Sequence, residues 1–224
     1  MDTKSVNKGT SILSEKIIKN GNNSFKLWLE FEETSPWDDL ENDFANVCVD
    51  TLDGRRYGIN VWTFKFLSTA QKEEQNEGNP SYIIPPDLFV KELTRNCIEK
   101  TIKELLNEGN LEEILNESIF GLNLLEPYYD AIEMEETNIQ ALINELKLEL
   151  PENHILYNES VELIARKVDN DDIVLELMDG RIAVVHLTWK SKKENNGYPL
   201  TRVYKDEIEF WNKEMKQDIL EFKK

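Results

Sequence analysis

The chain has 224 residues, 40% of them apolar, and a net charge of −18 from 44 acidic against 26 basic side chains. That length holds one large or two small domains, and the apolar share suffices for packed cores. The charge lacks the clustered Lys and Arg that phosphate contacts need and works against docking on anionic membranes, so neither nucleic acid nor membrane is expected as a partner. A basic protein partner fits it, as does plain solubility.

No apolar stretch approaches the ~20 residues of a membrane span, and no N-terminal apolar run resembles a signal peptide. Two cysteines, Cys48 and Cys97, are too few for a disulfide framework. These features predict a cytoplasmic protein.

Along the chain, Phe25, Leu27, Leu29 and Phe31 alternate with polar neighbours, the period of a half-buried strand. An acidic loop, 34–43, follows. Val47, Val49 and Thr51 alternate again, Asp53-Gly54 marks a hairpin turn, and Tyr57, Ile59, Val61 and Thr63 form the return strand. A polar helix is expected from Thr63 to Asn76, ending at Gly78, then a short extended piece at 81–84. Thr94 is placed to cap a helix reaching Asn107, with Ile98, Ile102, Leu105 and Leu106 buried and Gly109 as its stop. Residues 111–116 add a short turn.

Periodicity then fades around Gly121 and Pro127. We therefore expect an N-terminal domain over 1–118, a linker over 119–135 and a C-terminal domain over 136–224. Thr137 is placed to cap a helix carrying Ile139, Leu142, Ile143 and Leu146, closed before Pro151. A strand meander follows: Val161, Leu163 and Ala165; a polar turn at Asp169–Asp172; Ile173, Leu175 and Leu177; an Asp179-Gly180 hairpin; then Ala183, Val185 and Leu187. A charged loop, Lys190–Tyr198, leads to a last helix with a stripe of Ile208, Trp211, Met215, Ile219 and Phe222. The expected class is α+β, two parts, each an antiparallel β-meander packed with helices. Both parts carry an Asp-Gly-Arg hairpin, either a trace of duplication or the ordinary use of a common turn dipeptide.

Chemical motifs are scarce. His154 and His186, the only histidines, have no second ligand at helical or strand spacing. Asp169, Asp171 and Asp172 lack the Gly and the later Glu of a calcium loop and read as turn residues. Neither cysteine has a neighbouring base, and no glycine pair has phosphate-loop spacing. No catalytic residue, metal or cofactor is expected. The best interaction candidate is the acidic loop with Trp37, Asp38, Asp39, Glu41 and Asp43, where an aromatic anchor sits among steering charges. The alternative is a solvated loop whose Trp37 folds back onto the core.

The segment DGRRYGINVWTFKFL, with TRNCIEKTIKELLNEGN after it, resembles small uncharacterised bacterial proteins over about residues 45–115, some of which look like immunity proteins of polymorphic or contact-dependent toxin systems. It departs from them at IIPP (83–86), where an aromatic-rich segment is expected. AVVHLTW, with the later EFWNKEM, is similar to a second uncharacterised bacterial family over about 154–220. The first resemblance implies a non-enzymatic protein that neutralises a cognate toxin by occupying its active surface, and the acidic balance suits a basic toxin. A regulatory or scaffold protein with another partner, and an enzyme of a class no motif identifies, are the alternatives.

Overall fold

A computed structural model describes residues 16–33, 37–78, 85–115, 120–195 and 197–224. The extended piece expected at 81–84 lies outside these residues. Contacts divide the chain into two compact units, one of the described residues up to Leu52 with Arg56–Phe120, the other of Asp53–Arg55 with Gly121–Lys224. Each is α+β, an antiparallel sheet packed with helices.

In the first unit, β1 (Phe25–Leu29) leads into a short helix α1 (Glu30–Glu33), followed by β2 (Phe44–Thr51) and β3 (Arg55–Thr63). Antiparallel registers such as Leu27↔Val49 and Val49↔Tyr57 bring the alternating apolar residues onto one face. Phe25, Leu27, Leu29, Val47, Val49 and Ile59 are all buried there. Thr63 caps α2 (Phe64–Asn76), its hydroxyl accepting from the Phe66 N–H at 3.2 Å. β4 (Leu88–Val90) pairs with β3 in parallel, a departure from a pure meander.

Thr94 likewise caps α3 (Arg95–Glu108), accepting from the Cys97 N–H at 3.3 Å. The helix lays Ile98, Ile102 and Leu106 against the sheet. Each such burial contributes about 1.5–3 kcal/mol. Leu105, also expected on that face, is only partly buried. Gly109 closes the helix in an extended conformation rather than a left-handed one, and α4 (Leu111–Ile114) follows. A short strand, β5 (Phe120–Leu122), comes next in the chain.

The stretch 119–135, expected as a linker, also carries β6 (Tyr128–Asp130) and a 3₁₀ turn, Ala131–Glu133. α5 (Glu136–Glu149) starts two residues earlier than expected. Glu135, already extended, is its N-cap, so Thr137 lies inside the first turn. The sheet of the second unit runs β10 (Leu200–Tyr204), β9 (Ile182–His186), β8 (Asp172–Leu177), β7 (Val161–Lys167), β6. β10 corrects the expectation that the loop after Lys190 enters the last helix directly. Its short Leu-Thr-Arg-Val-Tyr alternation pairs antiparallel with β9, Arg202 opposite Val184.

This sheet is covered on both faces. Leu163, Ile173, Leu175, Leu177, Ala183 and Val185 meet Leu142 and Leu146 of α5 and Leu150 just after it. On the other face, Val174 and Val184 are buried, and a last helical rod brings Phe210, Met215 and Ile219. The rod consists of α6 (Glu207–Phe210), a π-helical turn over Trp211–Met215, and α7 (Lys216–Phe222). The wider turn rotates the expected stripe. Phe210 joins Trp211, Met215 and Ile219 inside, while Phe222 is exposed.

Candidate functional site

A concave groove of about 650 Å³ lies beside the N-terminal end of α5 in the second unit. Tyr129 of β6, Glu133 and Met134 before α5, Asn138 on it, Arg166 of β7 and Trp189 after β9 line it. A backbone irregularity positions Arg166. Leu163 pairs with Leu175, but Ala165 pairs with Val174 and Arg166 with Ile173, so a bulge at Ile164 shifts the register by one. Paired residues share a face, so Arg166 leaves the side that the Leu163–Ala165 alternation would give it and joins Ile173 on the α5 face. Bulges commonly re-aim a side chain in this way. The same shift turns Lys167 to the opposite face, where its ammonium meets Asp218 at 2.9 Å.

The five other arginines form ion pairs; Arg166, half-buried, forms none among the described residues. In a chain with so large an excess of carboxylates, an unpaired, partly desolvated guanidinium is unusual, because guanidinium–carboxylate pairs form readily.

Trp189 is held in place by several contacts. It and Ser191 have φ of 56° and 52°, a left-handed backbone that non-glycine residues seldom adopt. Such strain persists only where surrounding structure over-determines it. Two buried carboxylates of α5 do so. Both oxygens of Glu149 accept from the Thr188 N–H, at 2.9 and 3.0 Å. Glu145 accepts from the Ser191 N–H at 2.7 Å and from its hydroxyl at 3.2 Å. Glu194 accepts from the Thr188 hydroxyl at 2.5 Å and pairs with Lys190 at 2.8 Å. The Trp189 indole N–H donates to Asp171 at 2.9 Å, fixing the ring while 45% of the residue stays exposed. The loop is therefore pre-organised around an accessible aromatic.

The opposite face of the sheet carries a chain of charges. Asp172, expected in a turn, is instead a buried residue of β8. It accepts from His186 Nδ1 at 2.7 Å and from Arg202 at 2.9 Å. Arg202 also forks onto Glu214 at 2.7 and 2.8 Å, and Glu214 accepts from the Tyr204 hydroxyl. Burial opposes ionisation of Asp172, but the hydrogen bonds from Arg202 and His186 outweigh it and hold its carboxyl below the ordinary range. Tyr128 donates to Asp218, and burial together with that bond pushes its phenol well up.

The residues singled out from sequence sit mainly in the first unit. Trp37 is half-buried against its core, edge-on to Phe31 with 6.1 Å between ring centres. Asp38 and Glu41 are exposed. Asp39 pairs with Lys65 at 2.8 Å, a hydrogen bond that lowers its pKa, and accepts from the Glu41 N–H. Asp43 accepts from the Phe44 N–H at 2.8 Å. The loop is thus tied to its own unit, with its carboxylates outermost and its tryptophan turned inward. His154 serves as a staple: Nδ1 accepts from the Leu156 N–H at 3.1 Å, which leaves Nε2–H to donate to the Pro199 carbonyl at 3.1 Å. Burial pushes the Cys48 thiol up to about 11, so it stays protonated and a poor nucleophile near neutrality. Among the described residues, no group of three or more His, Cys, Asp or Glu could hold a metal ion. No helix among them is long and apolar enough to cross a membrane.

Sequence reading missed Arg166 and Trp189 as a site. The one local signal was a tryptophan just beyond a strand end, where alternation stops burying it. Comparison of the chain with family models, curated proteins and solved structures returns no match.

Proposed function

We propose that this chain is a non-enzymatic, cytoplasmic binding protein whose second unit seats a segment of a basic partner protein in the Arg166–Trp189 groove. The carrying observation is Trp189, an exposed indole on a strained loop braced by buried carboxylates. Rigid aromatic anchors at low ordering cost are what binding surfaces concentrate their energy on. The net charge of −18 supplies long-range attraction for a basic partner. The resemblance over residues 45–115 gives the specific form of the proposal: an immunity protein that covers the active surface of a basic bacterial toxin.

The test is affinity capture from a bacterial lysate with wild-type, Trp189→Ala and Trp37→Ala proteins as bait, followed by binding kinetics on the recovered partner. The proposal expects a basic partner that Trp189→Ala releases at least tenfold faster, circular dichroism being unchanged, since hot-spot truncations cost about 2 kcal/mol or more. Retention on Trp189→Ala with loss on Trp37→Ala, or slowed association of Asp38→Asn/Asp39→Asn, would move the interface to the acidic loop. A recovered partner that loses no activity on binding would favour the regulatory or scaffold reading over immunity.

A further inference from the structure

The groove combines three chemistries. Arg166 offers a planar fork of donors suited to a carboxylate in bidentate geometry. The first turn of α5, whose N-cap Glu135 makes no side-chain capping bond, adds the positive end of a helix dipole to the same concavity. Tyr129, Met134 and Trp189 supply apolar and aromatic walls. Glu133 and Glu135, exposed at the rim, disfavour a dianion such as a phosphate ester and complement basic groups close by.

Resting on the binding reading above, the geometry points to a free chain end as the ligand: the C-terminal carboxylate of a basic partner whose last side chain is apolar or aromatic. At a chain terminus, carboxylate and side chain hang from one Cα, so both enter a single concavity of about 650 Å³. The carboxylate docks on Arg166, the last side chain lies against Trp189 and Tyr129, and the preceding Lys or Arg residues pass Glu133 and Glu135. An Asp or Glu side chain brings its carboxylate with no apolar group on the same Cα. Capture of chain ends is a recurrent recognition mode.

The experiment uses the whole chain and a panel of short fluorescein-labelled peptides, rich in Lys and Arg and ending in Phe, Tyr, Trp, Leu or Met, each made as free acid and as C-terminal amide. Fluorescence anisotropy should show at least one acid binding about tenfold to a hundredfold tighter than its amide, the range expected for a charge-assisted hydrogen bond. Arg166→Gln should erase the difference by weakening the acid alone, and Arg166→Lys should keep part of it. Trp189→Ala should weaken acid and amide alike. Equal affinity of acids and amides, an acid preference surviving Arg166→Gln, or no binding by any peptide overturns the inference. So does N-acetylphenylalanine competing as well as the peptide acids, which would make the groove a small-carboxylate site. In each of these cases a Trp189-dependent protein partner in the capture experiment leaves the binding reading standing.

Discussion

Single side chains in this protein act through what they are paired with. Asp172 is buried and accepts from both Arg202 and His186. Its carboxyl is held below the unfolded value near 3.8, with Arg202 shared onto Glu214. A carboxylate whose pKa falls on folding contributes stability that is complete above the unfolded value and lost as pH drops through the folded one. Asp172→Asn should therefore destabilise the protein at pH 7 by about 1–3 kcal/mol, the range for breaking a buried charged hydrogen bond. The gap to wild type should narrow once the pH falls well below 3.8, as the native carboxyl takes up its own proton. Urea unfolding at neutral, mildly acidic and strongly acidic pH measures both; a gap that stays constant across the series would remove the assigned pairing.

At the scale of elements, α5 both covers a sheet face and braces a loop. Leu142 and Leu146 pack inward, while Glu145 and Glu149, one turn apart, hold the segment after β9. Replacing Glu149 by Ala leaves the Thr188 N–H without its two acceptor oxygens, and an unsatisfied buried donor costs about 1–3 kcal/mol. The loss should be local: hydrogen exchange at Thr188 and Ser191 should quicken, with the β8–β9 amides far less affected. Ligand binding should weaken although Trp189 is intact, because the strained backbone at Trp189 and Ser191 would relax. Glu149→Gln, which keeps one acceptor, should fall between. Unchanged exchange at Thr188 would show that the loop holds itself.

For the molecule as a whole, the second unit begins before α5. β6 pairs with β7, Tyr129 opposite Arg166, and Tyr128 and Ala131 are buried. A fragment of residues 121–224 should unfold cooperatively by circular dichroism. A fragment of residues 136–224 exposes the edge of β7, loses the Tyr128–Asp218 bond and forfeits one wall of the groove. It should melt at lower temperature and aggregate, since an uncovered strand edge templates further pairing. Equal melting of the two fragments would place β6 outside the cooperative unit. The paired Asp-Gly-Arg hairpins share positive φ at Gly54 and Gly180, but the first continues into a helix and a parallel strand, the second into an antiparallel strand.

What the sequence determined by itself is local. The period-two runs 25–29 and 57–63, the hairpins at Asp53-Gly54 and Asp179-Gly180, and the Thr63 and Thr94 caps all follow from alternation, positive-φ tolerance and a hydroxyl within reach of an early helical N–H. These are properties of a few consecutive residues, so they are legible before folding. What only the tertiary structure decided is where those patterns break. The bulge at Ile164 depends on how β7 must register against β8, and alternation alone would have sent Arg166 to the other face. The left-handed backbone at Trp189 depends on carboxylates some forty residues earlier. Asp172 reads as a turn residue until Arg202, thirty positions on, gives its buried charge a partner. The candidate site was not legible because its residues come from β6, α5, β7 and the loop after β9, and only non-local pairing brings them to one groove.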